Sequence, residues 1–184
     1  MAVLIEGYSI VINKAEASKK ADALSLLSSV DTVLHPMAVC SDNDLLRIGF
    51  IDLKQAKEFV AILEGGGLVY KSADGSEGRA TDMVMVTQFG ELDVACSWLS
   101  IQFSKLKDNT LICLATFNDS KSVKEVAFPK GWALELSLLK RFYDERIQYM
   151  GEHYVWVRSD AKHDVYRHKE TGKEVHLLKL VMTE

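Results

Sequence analysis

His153, His163, His168 and His176 are four of the chain's five histidines, and all lie beyond residue 150. Imidazole is a common metal ligand, but no two of these stand at a helical i, i+4 spacing or at a familiar zinc spacing. A catalytic zinc ion also requires three convergent ligands. They read as surface or turn histidines, and no metal or other cofactor is expected. Asp42 with Asp44, Asp82, and Glu91 with Asp93 are acidic groups of a kind that binds cations or transfers protons. However, Asp42-Asn43-Asp44 does not complete the calcium-loop pattern, and the pairs read as solvated turns at strand ends. The triple glycine Gly65–Gly67 follows a helix instead of leading into one, so its carbonyl-rich end repels phosphate and serves as a stop. Cys40, Cys96 and Cys113 are widely spaced and form no Cys-x-x-Cys pair, which suits reduced thiols; Cys113 sits in the apolar run Leu111–Ala115. A nucleophilic role is weighed only for Cys40, five residues after His35.

The elements that position these residues are well punctuated. Gly7–Ile12 is rich in strand formers, and Asn13 followed by Glu16 is a capping-box signal for a helix running to about Ser28. Thr32–Val39, holding Pro36, reads as irregular, and Leu45–Ile51 reads as a mostly buried strand. Leu53, Ala56, Phe59, Val60 and Leu63 form one apolar stripe of a helix opened by Asp52 and closed by a glycine just past Glu64. Leu68–Tyr70 is expected to return as a strand, Ala73–Arg79 as a polar loop, and Met83–Val86 as a strand covered on both faces. Strict alternation over Leu99–Ser104, with a turn at Lys107-Asp108-Asn109 into Thr110–Phe117, predicts a hairpin with one wet face. After a polar connection at Asn118–Glu125, a third helix is expected over Leu134–Met150. Its inner side carries Leu136, Leu139, Tyr143, Ile147 and Met150, and Gly151 ends it. Tyr154–Val157 and Val175–Leu178, around Thr171-Gly172-Lys173, predict two or three antiparallel strands. The class is therefore α+β: a mixed, mainly antiparallel sheet with about three helices packed on it.

With 184 residues and 48% apolar content, the chain is expected to form a single domain over 1–184, with 1–118 and 119–184 as sub-lobes. Its longest apolar runs are far below the roughly 20 residues that span a bilayer. No basic segment precedes Glu6, so a signal or transit peptide is not expected and the cytoplasm is the expected compartment. Residues 1–100 carry 14 acidic and 8 basic side chains, against 12 and 14 in residues 101–184. An acidic front argues against direct nucleic-acid binding, which needs clustered Lys and Arg, and suits a basic protein surface.

The string Asp44-Leu45-Leu46-Arg47-Ile48-Gly49-Phe50, then Leu63-Glu64 to Gly67-Leu68, Asp82 to Val86-Thr87-Gln88, Gly90 and Cys96-Ser97-Trp98-Leu99, resembles a group of small bacterial proteins. Proteins of this type include immunity proteins, which bind and block a toxin made by the same cell. The likeness covers about the first 115 residues, consists of structural positions and carries no catalytic residue. Together with the acidic front, the missing chemical motifs and the stable mixed fold, it points to a non-enzymatic protein-binding protein that occludes a toxin domain with a basic cleft. Asp42, Asp44, Asp74 and Glu77, on or beside expected loops, are the candidate partner-binding residues. The alternative is a small cytosolic enzyme or ligand-binding protein whose site assembles from distant residues, with His35, Cys40 and Asp82 as its members. A homodimer supported by Trp98 or Trp132 is the third reading.

Overall fold

The chain is seen in a computed structural model that describes residues 1–72, 78–107, 109–118, 123–161 and 163–178. Its elements follow in the order β1 (Ala2–Ile5), β2 (Tyr8–Asn13), α1 (Lys14–Ala17), α2 (Ala21–Val33), β3 (Val39–Ser41), β4 (Leu45–Phe50), α3 (Leu53–Gly65), β5 (Met83–Thr87), β6 (Leu99–Lys105), β7 (Leu111–Phe117), β8 (Val126–Ala127), α4 (Leu138–His153), β9 (Tyr154–Ser159), β10 (His163–His168) and β11 (Glu174–Leu178). The described strands form three mostly antiparallel sheets, ordered β3-β4-β2-β5, β6-β7-β1-β8 and β11-β10-β9. The architecture is α+β.

Period-two patterning explains how the first two sheets stack. Val3 and Ile5 of β1, Cys113 and Ala115 of β7, and Val11, Val84 and Val86 of the other sheet share one core between the two sheets. The intervening residues face outward into separate cores. Ile10, Ile12, Ile48 and Met83 pack with Ala23, Val30, Val60 and Leu63 of α2 and α3. Ala2, Leu4, Ile112 and Leu114 pack with Leu139 of α4. The result is two facing sheets with helices on both outer sides. The central strands therefore read as unbroken apolar runs, because both of their faces are removed from water.

Local signals explain the element ends. Asp52 accepts the Gln55 N–H at 2.9 Å and opens α3. Its end is a Schellman closure, with the Leu68 N–H donating to the Leu63 carbonyl and the Gly67 N–H to that of Glu64. Gly67 takes the left-handed conformation that this closure needs, φ 91°. β6 and β7 form the expected hairpin, paired from Leu99↔Phe117 to Lys105↔Leu111, with Asn109 left-handed at its turn and Asp108 outside the described residues.

Four expectations are corrected. The first helix is broken into α1 and α2: Asn13 caps only a short turn, accepting the Ala15 and Glu16 N–H groups, and Ser18 closes it. Leu68–Tyr70 is not a strand; the segment meets residues 79–82 through single backbone hydrogen bonds and one isolated bridge, Lys71↔Ala80. α4 starts at Leu138 with Ser137 as its cap and runs through Gly151 to His153, since helix hydrogen bonding tolerates an exposed glycine in its last turn. Leu136, expected on the inner side of that helix, precedes it in a short 3₁₀ turn and is 69% exposed.

β1 and β2 are adjacent in sequence but belong to different sheets, and Gly7 makes the switch with φ 56°. A Cβ there would lie 2.2 Å from the Phe50 carbonyl oxygen, so backbone passes where a side chain would stand.

Candidate functional site

The charged residues nearest the core are committed to holding the layers together. Glu6 and Arg47 are both fully buried and form an ion pair at 2.5 Å, Arg47 Nη2 to Glu6 Oε2. Arg47 also donates from Nε to the Leu4 carbonyl at 2.7 Å and from Nη1 to the Ala38 carbonyl at 3.1 Å. The other Glu6 oxygen accepts from the Trp132 indole N–H at 2.8 Å and the Leu139 N–H at 3.3 Å. Gln88 completes the cluster, accepting from the Gly7 N–H at 2.9 Å and donating to the Leu139 carbonyl at 3.2 Å. One carboxylate thus ties the β1–β2 switch to β4, the Trp132 segment and the start of α4. A fully satisfied buried network of this kind specifies one packing arrangement.

The sequence-derived candidates divide. Asp42 is buried and accepts the N–H groups of Asp44 and Leu45 at 2.9 and 2.8 Å, making the turn into β4. Asp44 is exposed at that turn, whereas Asp74 and Glu77 lie outside the described residues. His35, Cys40 and Asp82 are each tied to different neighbours. His35 is exposed and accepts the Met37 N–H at 3.3 Å. Cys40 is buried in β3 with its thiol toward the Leu4 carbonyl. Asp82 is buried, accepts the Val69 N–H at 2.6 Å and pairs with Lys20. Burial pushes the Cys40 thiol up despite the Arg47 guanidinium beside it, and pushes Cys113 to about 12. Neither is poised as a thiolate nucleophile. Trp98 stacks near Phe117 and Trp132 near Phe128, both partly buried in the fold.

Three features are open to solvent. The first is a cleft of about 540 Å³ between α3 and β5, walled by Leu53, Val60, Tyr70, Met85 and Leu92, with Lys57 and Asp93 also lining it. Burial raises the Asp93 carboxyl above its usual range, opposed by the Met85 N–H that donates to it. His35, Cys40 and Asp82 do not line this cleft.

The second is an aromatic stripe where α4 meets the third sheet. β9 is an edge strand with no strand beyond it among the described residues. Tyr154 and Trp156 are two residues apart and share a face. Trp156 is 56% exposed and Tyr149 of α4 is 46% exposed, with its ring 6.3 Å from that of Tyr154. Arg146 lies over the Tyr149 ring at 5.8 Å. Val155, on the opposite face of β9, is also exposed. No local sequence pattern marks this patch, because only sheet order makes β9 an edge.

The third feature concerns the histidines. His163 and His176 come together with Asp160, and all three ligand atoms lie within 4.8 Å of one another. His153 instead stacks near Tyr149, and His168 near Tyr154. Among the described residues no helix is long and apolar enough to cross a membrane. In comparisons with known proteins, no family model, no curated protein and no solved structure matches this chain.

Proposed function

We propose that the chain is a non-enzymatic protein-binding protein and that it takes its partner along β9. The observation that supports this reading is the open strand edge bordered by Tyr149, Tyr154 and Trp156. Edge strands with free backbone groups accept an extended segment as an added strand, and Trp, Tyr and Arg are the residues that most often dominate binding energy. Trp156 and Tyr149 leave that apolar area in water in the free chain, so a partner covering it removes it from solvent.

Within this reading, a toxin of the kind implied by the sequence resemblance would present a basic cleft. Exposed carboxylates of residues 1–100, Asp44 among them, would then supply a salt-sensitive share of the association. Asp42 offers less to such a partner, since its carboxylate already holds two backbone N–H groups.

A second reading, small-molecule binding, is favoured by one observation: the α3–β5 cleft combines apolar walls with a carboxyl whose proton is held more tightly than usual. The two readings separate in a pull-down from the source lysate with wild type, Trp156→Ser and Met85→Trp, the last filling the cleft. A stoichiometric protein lost with Trp156→Ser and retained with Met85→Trp is the expected result. Retention of a protein by both variants overturns the β9 assignment, and a small molecule lost only with Met85→Trp transfers the function to the cleft.

A further inference from the structure

We propose that Asp160, His163 and His176 form a binding site for a late first-row divalent metal ion of the zinc type. The topology brings the three together. His176 on β11 pairs with Val165 on β10, and His163 lies two residues before Val165, so both imidazoles stand on the same face as diagonal neighbours. Asp160 belongs to the turn that leads into β10, where its Oδ1 accepts the His163 N–H at 2.7 Å and its own N–H donates to the His163 carbonyl at 2.9 Å. That turn fixes the carboxylate beside the first imidazole, with Asp160 Oδ1 3.4 Å from His163 Nδ1.

A tetrahedral zinc site with metal–ligand bonds of about 2.0–2.1 Å places its ligand atoms roughly 3.4 Å apart. The Asp160–His163 pair is already at that spacing, and the cluster as a whole lies within 4.8 Å. Rotation of the His176 ring, which is exposed and stands 6.0 Å from His163 centre to centre, closes the remaining gap. Two imidazoles and one carboxylate form a borderline nitrogen–oxygen set that suits zinc over magnesium or calcium, and the fourth position is left to water. Bound there, the ion cross-links Asp160 and His163 to β11.

The test uses the full chain without a histidine tag. Titration with cobalt(II) is expected to give the visible bands of a tetrahedral site at one equivalent, displaced by zinc(II). His176→Ala and Asp160→Asn are expected to weaken binding by at least about 100-fold, the upper end of what losing a ligand's supporting partner costs. Asn keeps an acceptor for the His163 N–H, so the second variant separates metal binding from turn formation. His153→Ala is expected to bind as wild type. In the unmodified chain, zinc(II) should shift the ring-proton resonances of His163 and His176 and leave those of His153 in place. Equal binding by wild type and His176→Ala, equal loss in His153→Ala, or unmoved His163 and His176 resonances would each overturn the site.

Discussion

Replacing Arg47 by Met tests how the layers are held together. The substitution conserves much of the side-chain volume but leaves the Glu6 carboxylate buried without its cation, at a position with no exposure. Removing one partner of a buried pair costs about 3–5 kcal/mol. The Leu4 and Ala38 carbonyls also lose their guanidinium donors, which adds about 1 kcal/mol each. The expected loss is therefore about 5–7 kcal/mol, against a total stability of about 5–15 kcal/mol for a protein of this kind. Urea unfolding at pH 7 reads it directly: with a slope of about 2 kcal/mol per molar, the midpoint falls by about 2.5–3.5 M or the variant is unfolded without denaturant. Glu6→Gln on the same background removes the stranded charge and keeps an acceptor for Trp132 and Leu139, so the double variant should recover at least about 2 kcal/mol relative to Arg47→Met. A midpoint shift below about 0.5 M for Arg47→Met, or strict additivity in the cycle, would show that the Glu6–Arg47 pair does not hold the layers together.

Gly7→Ala places a Cβ on the Phe50 carbonyl in a left-handed conformation, so its melting temperature should drop by at least about 10 °C; a drop of under 3 °C refutes the switch role. Asp93→Asn should stabilise the chain at pH 7. The folded carboxyl is raised above its unfolded value, so ionised Asp93 opposes folding once pH exceeds that range. The gain should vanish as pH falls below the ordinary carboxylate range, as read by melting temperature against pH. Native protein at pH 8 should leave Cys40 and Cys113 unmodified by a thiol reagent while the denatured chain reacts at all three cysteines; rapid native reaction at Cys113 contradicts its burial.

Elements governed by short-range chemistry were legible in the residues. α3 was readable because Asp52 and the glycines at 65–67 act on backbone groups within a few positions, and the β6–β7 hairpin because alternation and turn residues lie side by side. β1 carried only an apolar start at residues 1–5, with no alternation, because the second sheet covers one face and α4 the other. The Glu6 cluster was invisible for a different reason. Its partners lie 41, 126 and 133 residues away, and nothing local to Glu6 distinguishes it from a charge ending an apolar run. Ser18 and Gly151 misled in opposite directions: one ended a helix that periodicity would have carried on, the other sat inside a helix it was expected to end. The convergence of His163 with His176 depends on the register of β10 against β11, and the aromatic stripe on the order of the third sheet; sequence spacing specifies neither.

The proposal of partner recognition along β9 is tested most directly by site-specific photo-crosslinking in the source lysate, with a photoreactive side chain at exposed position 155 of β9, which keeps Trp156, and, separately, at position 57 in the cleft. One discrete protein adduct is expected from position 155, at its partner's mass, and none from position 57. A protein adduct from position 57 alone, or no adduct from position 155 at saturating irradiation, would contradict the proposal.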